Sequence, residues 1–289
     1  MKSLTLLLAL DIVLVCVAGQ GQDYKGRSLT EWKARTQPSF SVRDRQESIR
    51  AVAQIGWNRT IRDRSTPEDM RWVTREITPT LIELLDDASM EVRLEAVLAL
   101  GGPFACVSPS KTPPEALAKL MERLADQNAE IRRVAAGDIV SIRPIPEKEA
   151  LQLLRHKDIV VRRAAAKGLL SVEQFRAELV KVMNEDFEFC RKNVQEISRV
   201  GPGSVPILVR ILDDKNPNVR SSAALSLARL GPAAKEAVPT LKHLLTDMTE
   251  VYNNDDGHRV CHSAGQALNG ILGDRDYLKG LPTKPPDGL

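Results

Sequence analysis

Apolar residues along this chain recur at three- and four-residue spacing instead of alternating, which marks helices with one buried face. The clearest unit is PILVRILDDKNPNVRSSAALSLARLG, Pro206 to Gly231. An apolar helix ends in an acidic pair, a Pro/Asn turn follows, and a second helix starts near Val219. Counting from Val219, small or apolar residues fall at Ala223, Ala224, Leu227 and Leu230. They share one helical face, and Gly231 then reads as a helix stop.

The same template recurs along the chain. Val161 is followed by Ala165, Ala166, Leu169 and Val172, and Ile131 by Ala135, Ala136, Ile139 and Ile142. Val92 leads to Ala96, Val97 and Leu100. Weaker copies begin at Asp44, Phe189 and Val260. The seven anchors at 44, 92, 131, 161, 189, 219 and 260 are 48, 39, 30, 28, 30 and 41 residues apart. A spacing near 30 is two short helices and their turns, and the longer gaps hold polar inserts at 58–75, 102–115 and 246–258. Each hairpin leaves apolar stripes that only a neighbour can bury, so the pattern predicts a solenoid. The expected fold is all-α, a right-handed α-α superhelix of about seven helical hairpins over 29–273. Residues 19–28 would be a linker and 274–289 a flexible, Pro/Gly-rich tail.

With its second helices opening on Val-Arg-x-x-Ala-Ala-x-x-Leu, the chain resembles the HEAT repeats, well over 79–231 and less well over 29–57 and 237–273. YKGRSLTEWKART, residues 24–36, is also similar to the entry of exported bacterial HEAT-repeat proteins, with Trp32 expected to pack on the first hairpin. The resemblance implies a ladder of acid–arginine pairs along the stack, the acid six residues before the arginine. Asp87 precedes Arg93, Asp126 precedes Arg132 and Asp214 precedes Arg220 in that register. Arg162 has His156 in the acidic position, and Cys190 and Cys261 occupy the arginine position itself.

The N-terminus changes the picture of where such an array works. MKSLTLLLALDIVLVCVAG has one basic residue, an apolar run from Leu4 to Ala18 and small residues at its end, the layout of a secretory signal peptide cleaved after Ala18. The run is short for a membrane span and Asp11 interrupts it. An uncleaved anchor, which would tie the chain to a membrane, is the second reading. Lipidation at Cys16 ranks lower because Val15, not a small residue, precedes it. The expected location is outside the cytoplasm, in a bacterial periplasm or secreted.

Composition narrows the chemistry. With 41 basic and 38 acidic residues the formal net charge is +3, too balanced to point to nucleic acid. Aromatics make up 4%, so the core must come from Leu, Val, Ile and Ala. Cys106, Cys190 and Cys261 remain after residue 18, too few for a disulfide scaffold. Cys190 and Cys261 sit two repeats apart, roughly 20 Å at the usual helix spacing. A bridge needs Cα atoms within about 7 Å, so three free thiols are expected unless two molecules pair through Cys106.

The most chemical-looking stretch is DDGHRVCHSAG, residues 255–265. His258 and His262 stand four apart on a helix, a spacing that can share a zinc ion, with Cys261 beside them and Asp255 or Asp256 as an oxygen ligand. A zinc-protease motif needs glutamate where Arg259 stands, and covalent haem attachment needs a cysteine where His258 stands. The repeat register already accounts for Val260, Ala264 and Gly265, and it places Asp255 in the ladder's acidic position. The reading is therefore a non-catalytic scaffold with no cofactor, binding a protein or peptide on its concave face and inter-repeat loops. The alternative is a metal- or haem-associated envelope redox component using His258, Cys261 and His262. HEAT-like di-iron hydroxylases carry His-Glu dipeptides, and no histidine here precedes a glutamate.

Overall fold

The computed structural model describes residues 23–60, 66–105, 114–142, 145–251, 258–273, 276–279 and 281. The N-terminal segment 1–18, Cys106, Asp255 and Asp256 lie outside the described residues. The chain forms two compact units, Met1–Ile145 and Pro146–Leu289.

The first unit opens with a two-stranded antiparallel ribbon, β1 (Asp23–Tyr24) and β2 (Arg27–Ser28). Lys25 and Gly26 turn it with φ of 50° and 72°, the left-handed backbone that tight two-residue hairpins require. Part of the expected linker is therefore folded. Ser28 then caps α1 (Leu29–Ala34) in a reciprocal box with Glu31, its N–H donating to Glu31 Oε2 at 2.7 Å. Trp32 on α1 is wholly buried and donates from Nε1 to Tyr24 O at 2.9 Å.

Next come α2 (Val42–Thr60), α3 (Pro67–Glu76), α4 (Thr78–Leu84), α5 (Met90–Ala105), α6 (Pro114–Arg123) and α7 (Ala129–Ser141). The long helices α2, α5 and α7 carry the anchors at 44, 92 and 131 and pack side by side, while α4 and α6 back them. The stretch 58–75 was expected as a polar insert, but much of it is helix. Thr66 caps α3 by accepting from Asp69 N–H, with Pro67 in the first turn. Thr-Pro-Glu-Asp is a start signal in its own right.

The second unit comprises α8 (Glu147–Leu154), α9 (Ile159–Leu169), α10 (Arg176–Glu185), α11 (Phe187–Lys192), α12 (Val194–Ile197), α13 (Val205–Ile211), α14 (Pro217–Leu230), α15 (Val238–His243) and α16 (Val260–Leu272). Here α9, α11–α12, α14 and α16 are the second helices. Asp158 and Asn216 cap α9 and α14 by accepting backbone N–H groups two residues on. The copy anchored at Phe189 is weak because its helix breaks at Asn193, whose Nδ2 donates back to Phe189 O at 2.8 Å.

Ala96, Ala135, Ala165, Ala166, Ala223, Ala224 and Ala264 are all fully buried, so the small residues of the template are the close-packing surface. At the last seam, a Cβ on Gly270 would sit 3.1 Å from Ala228 O, so the missing side chain sets how near α14 and α16 approach. Of the segment expected to be a tail, Asp276–Leu278 forms a short turn against α16. A Cβ on Gly265 would lie 3.0 Å from Tyr277 O and 2.9 Å from Leu278 Cδ2.

Candidate functional site

Arg93 does not pair with the Asp87 carboxylate six residues before it. Its Nη1 donates to the backbone carbonyls Asp87 O (2.9 Å) and Ala88 O (3.2 Å), and its Nε reaches Asp126 Oδ2 of the next repeat at 2.8 Å. Arg220 likewise holds Asp214 O at 2.8 Å and pairs with Asp247 at 2.9 Å. Arg132 and Arg162 grip the carbonyls of Asp126 and His156 at 2.8 and 2.7 Å. The carboxylate of Asp87 instead takes Arg45, one repeat earlier.

In the middle repeats the pairing moves one residue along. Arg163, not Arg162, makes a two-pronged pair with Asp186 (2.6 and 2.8 Å), and Arg191 beside Cys190 does so with Asp214 (2.5 and 3.3 Å). Each acid also tightens its own turn: Asp87, Asp126 and Asp214 accept the backbone N–H two residues on. His156 fills that role with Nδ1, accepting from Asp158 N–H at 3.1 Å. Burial raises the Asp126 and Asp214 carboxyls, but the arginine bonds and turn N–H groups outweigh it and leave both below the ordinary aspartate value.

Arg220 finds its carboxylate in the last repeat at Asp247; Asp255, in the six-residue register, lies outside the described residues. Residues 249–251 pair back on 258–260 in a short antiparallel bridge, Val260 N donating to Thr249 O at 3.1 Å and Val251 N to His258 O at 2.9 Å. That stem carries the insert and displaces the six-residue register. A signal existed: Asp87, Asp126, Asp214 and Asp247 each stand two residues after the leucine near the first helix's end. Counting from that leucine finds Asp247, whereas counting back six from the arginine position, here Cys261, does not.

Of the histidine pair, His258 stands on that stem and His262 in the first turn of α16, each with other work to do. His262 Nδ1 accepts the Arg259 N–H at 3.0 Å, capping α16, and His258 Nε2 lies 2.9 Å from Ser263 Oγ. Ser263 in turn contacts Ser221 Oγ on α14 at 2.6 Å, a buried hydroxyl bridge between the two helices. The rings are 5.3 Å apart, and burial, with His262 nearby, lowers the His258 pKa. Cys261 is fully buried, with its thiol pushed up by burial. No group of three His, Cys, Asp or Glu among the described residues is disposed to hold a metal ion. Cys190 is free and buried, its Sγ donating to Met183 O at 3.4 Å, and burial pushes it up to about 12.

What the described residues of the second unit do offer is a groove of about 740 Å³ across α9, α11–α12 and α14. Lys167 and Leu170 line one side, Arg191 to Glu196 the floor, and Asn216, Asn218, Val219 and Ser222 the other side. Gln195 and Ser222 meet across it at 3.5 Å. Asn218 Oδ1 is buried there with no hydrogen-bond partner. No motif marks these residues, since three helices each contribute a few polar positions.

One further group stands apart. Seven residues after each anchor the second helices carry small residues, buried at Ala51, Ala99, Ser226 and Ala267 and exposed at Gly168, and also Glu196. On α7 that slot is Asp138. Its carboxylate lies where a Cβ on Gly101 of α5 would be, 2.3 Å away, and Oδ2 is buried without a partner. Burial pushes this carboxyl up to about 8 despite Arg133 nearby.

The HEAT repeats family matches residues 34–140 and 176–269. Among solved structures, the chain is similar to a Kap95:Nup1 complex (TM-score 0.60, 13% identity, 86% of this chain and 35% of that one). It is also similar to Kap95p bound to RanGDP (TM-score 0.54, 14% identity, 85% and 35%). A designed armadillo repeat protein aligns over 84% of this chain and all of its own at 19% identity and TM-score 0.41. The chain thus spans about a third of the Kap95 chains, and the likeness is one of fold. No curated protein matches. An all-α repeat fold of this kind is typical of protein-binding scaffolds, which are generally non-catalytic, and with most of its length matched the chain belongs to the HEAT repeats family.

Proposed function

We propose that this protein is an exported, non-catalytic scaffold that binds a protein or peptide segment in the groove formed by its second helices. The observation that carries the reading is the groove itself: 740 Å³, walled by three successive second helices and lined by amides and cations the core does not need. Concave, largely preformed clefts with a few convergent polar groups are the default binding sites of rigid frames. The structural relatives include proteins solved with partner proteins, which supports a partner of that class.

A photo-crosslinking amino acid placed at Gln195 or Ser222, with Lys181 and Lys242 on first helices as controls, tests the site. One dominant partner captured at the groove positions and not at the controls supports the reading. Equal labelling at all four, or none at the groove, overturns it. Metal analysis and a visible spectrum address the rival redox role. Stoichiometric zinc, copper or haem lost in a His258→Ala/His262→Ala double variant would replace the scaffold reading. Export predicts a mature chain lacking residues 1–18, read by mass spectrometry.

A further inference from the structure

The groove across α9, α11–α12 and α14 has a charge balance of its own. Its lining holds Lys167, Arg191, Lys192 and Arg199 against one carboxylate, Glu196. That excess of three positive charges equals the formal net charge of the whole chain, +3, so all remaining residues together balance to zero. Only one of the four cations is tightly engaged: Arg191 is held by Asp214, which is nearly buried. Among the described residues Lys192 and Arg199 are paired with neighbours on their own turn of chain, the exposed Glu188 at 3.2 Å and the half-buried Glu196 at 2.8 Å. Such pairs are worth little in water and exchange readily for another carboxylate. Lys167 is exposed and has no ion-pair partner among the described residues.

The groove's other side chains narrow the class of anion. No aromatic ring lines it, so it offers no platform for stacked bases. Asn193, Gln195, Asn216 and Asn218 do line it, and amides of this kind hydrogen-bond a peptide backbone. Three helices at about 8–10 Å spacing make a track of roughly 16–20 Å. At about 3.3 Å per residue it takes five or six residues of extended chain.

Resting on the groove reading above, we infer that the occupant is an acidic peptide segment, extended over five or six residues. Its Asp or Glu carboxylates pair with Lys167, Lys192 and Arg199 while its backbone meets the amides. Fluorescence anisotropy with the full chain tests this, using labelled hexaglutamate, hexalysine, a Gly-Ser peptide of equal length and an oligothymidylate. Hexaglutamate is expected to bind at least about ten-fold more tightly than the Gly-Ser peptide at low salt, and to weaken steeply as salt screens the contacts. Lys167→Glu/Lys192→Glu should abolish that preference with an unchanged circular dichroism spectrum, because both side chains are exposed. Lys181→Glu/Lys242→Glu makes the same charge change on first helices and should leave most of it.

Failure of hexaglutamate to bind, equal or tighter binding of any other probe, or equal damage from the control variant overturns the acidic-peptide assignment. The crosslinking test is separate: a non-acidic partner captured at Gln195 or Ser222 would leave the groove reading standing while this one falls.

Discussion

Asp138→Asn is the sharpest probe of how the first unit is held together. The native carboxyl sits in the α5–α7 seam, over Gly101, with one oxygen sealed from water and unpartnered. Its pKa is raised to about 8 from 3.8. A raised acid keeps its proton in the folded chain after the unfolded chain has released it. Stability is therefore undiminished near and below pH 4, falls as pH rises towards 8, and levels off beyond. At pH 7 the gap of about three units corresponds to a ceiling of roughly 4 kcal/mol at 1.36 kcal/mol per unit. Asp138 as a whole is only half-buried, and water reaching part of it lowers the expected effect to about 1–3 kcal/mol. Asparagine has the shape of the protonated acid and does not titrate, so any packing change it brings is the same at every pH. Urea denaturation of both chains at pH 5 and pH 8.5 should show the variant gaining at least about 1 kcal/mol relative to the parent between the two conditions. Curves that shift in parallel would refute the reasoning.

Other expectations follow from the ladder, the thiols and the terminal helix. Asp214→Ala removes the partner of Arg191 and the acceptor of the Asn216 N–H, and should destabilise by about 1–3 kcal/mol in urea denaturation, against less than about 0.5 kcal/mol for its exposed neighbour in Asp213→Ala. Because the Asp126 and Asp214 carboxyls are lowered, their contribution is fully present above the ordinary aspartate range and is lost as pH falls through their folded values; denaturation curves between neutral and strongly acid pH check this. Cys190, buried and pushed up to about 12, should resist a thiol reagent at pH 8 in the native protein and react once denatured. Gly265→Val forces a side chain against Tyr277 O and Leu278, and should release residues 276–281 to limited proteolysis ahead of the rest of the second unit.

The hairpin array is legible because burial imposes one period on the second helices: Val92, Ile131, Val161 and Val260 are fully buried anchors, and Val219, half-buried, stands at the edge of the groove. The ladder is half legible. Its acids and arginines stand in the expected places, but Arg93 and Arg220 reach past their own repeats to the next acid, and six-residue spacing records only which carbonyl an arginine grips. Arg45, Arg163, Arg191, Asp186 and Asp247 complete the carboxylate pairs, and the shift of one residue at Arg163 and Arg191 is invisible until the helices are placed. The groove has no sequence signature because Lys167, Gln195 and Asn218 come from three helices and meet only in the folded unit. Asp138 was available to inspection as the acid in a slot otherwise filled mostly by Ala, Gly and Ser, but its consequence depends on Gly101 lying opposite. His258 and His262 looked like ligands because helical spacing serves a metal and a helix cap equally well.

Arg93 and Arg220 each perform two tasks with one side chain, clamping the turn of their own hairpin and reaching the acid of the next. In the repeats of Arg162 and Cys190 the tasks are divided: Arg162 holds the turn while Arg163 reaches Asp186, and Cys190 contacts Met183 O while Arg191 reaches Asp214. Where one guanidinium does both, loosening a turn also releases the neighbouring hairpin, and the two open together. Where two residues share the work, a turn can open while its link onward stays closed. Cooperativity within the second unit should therefore be weakest around α9 to α12, and hydrogen exchange there should proceed by partial openings that the α14–α16 end does not undergo.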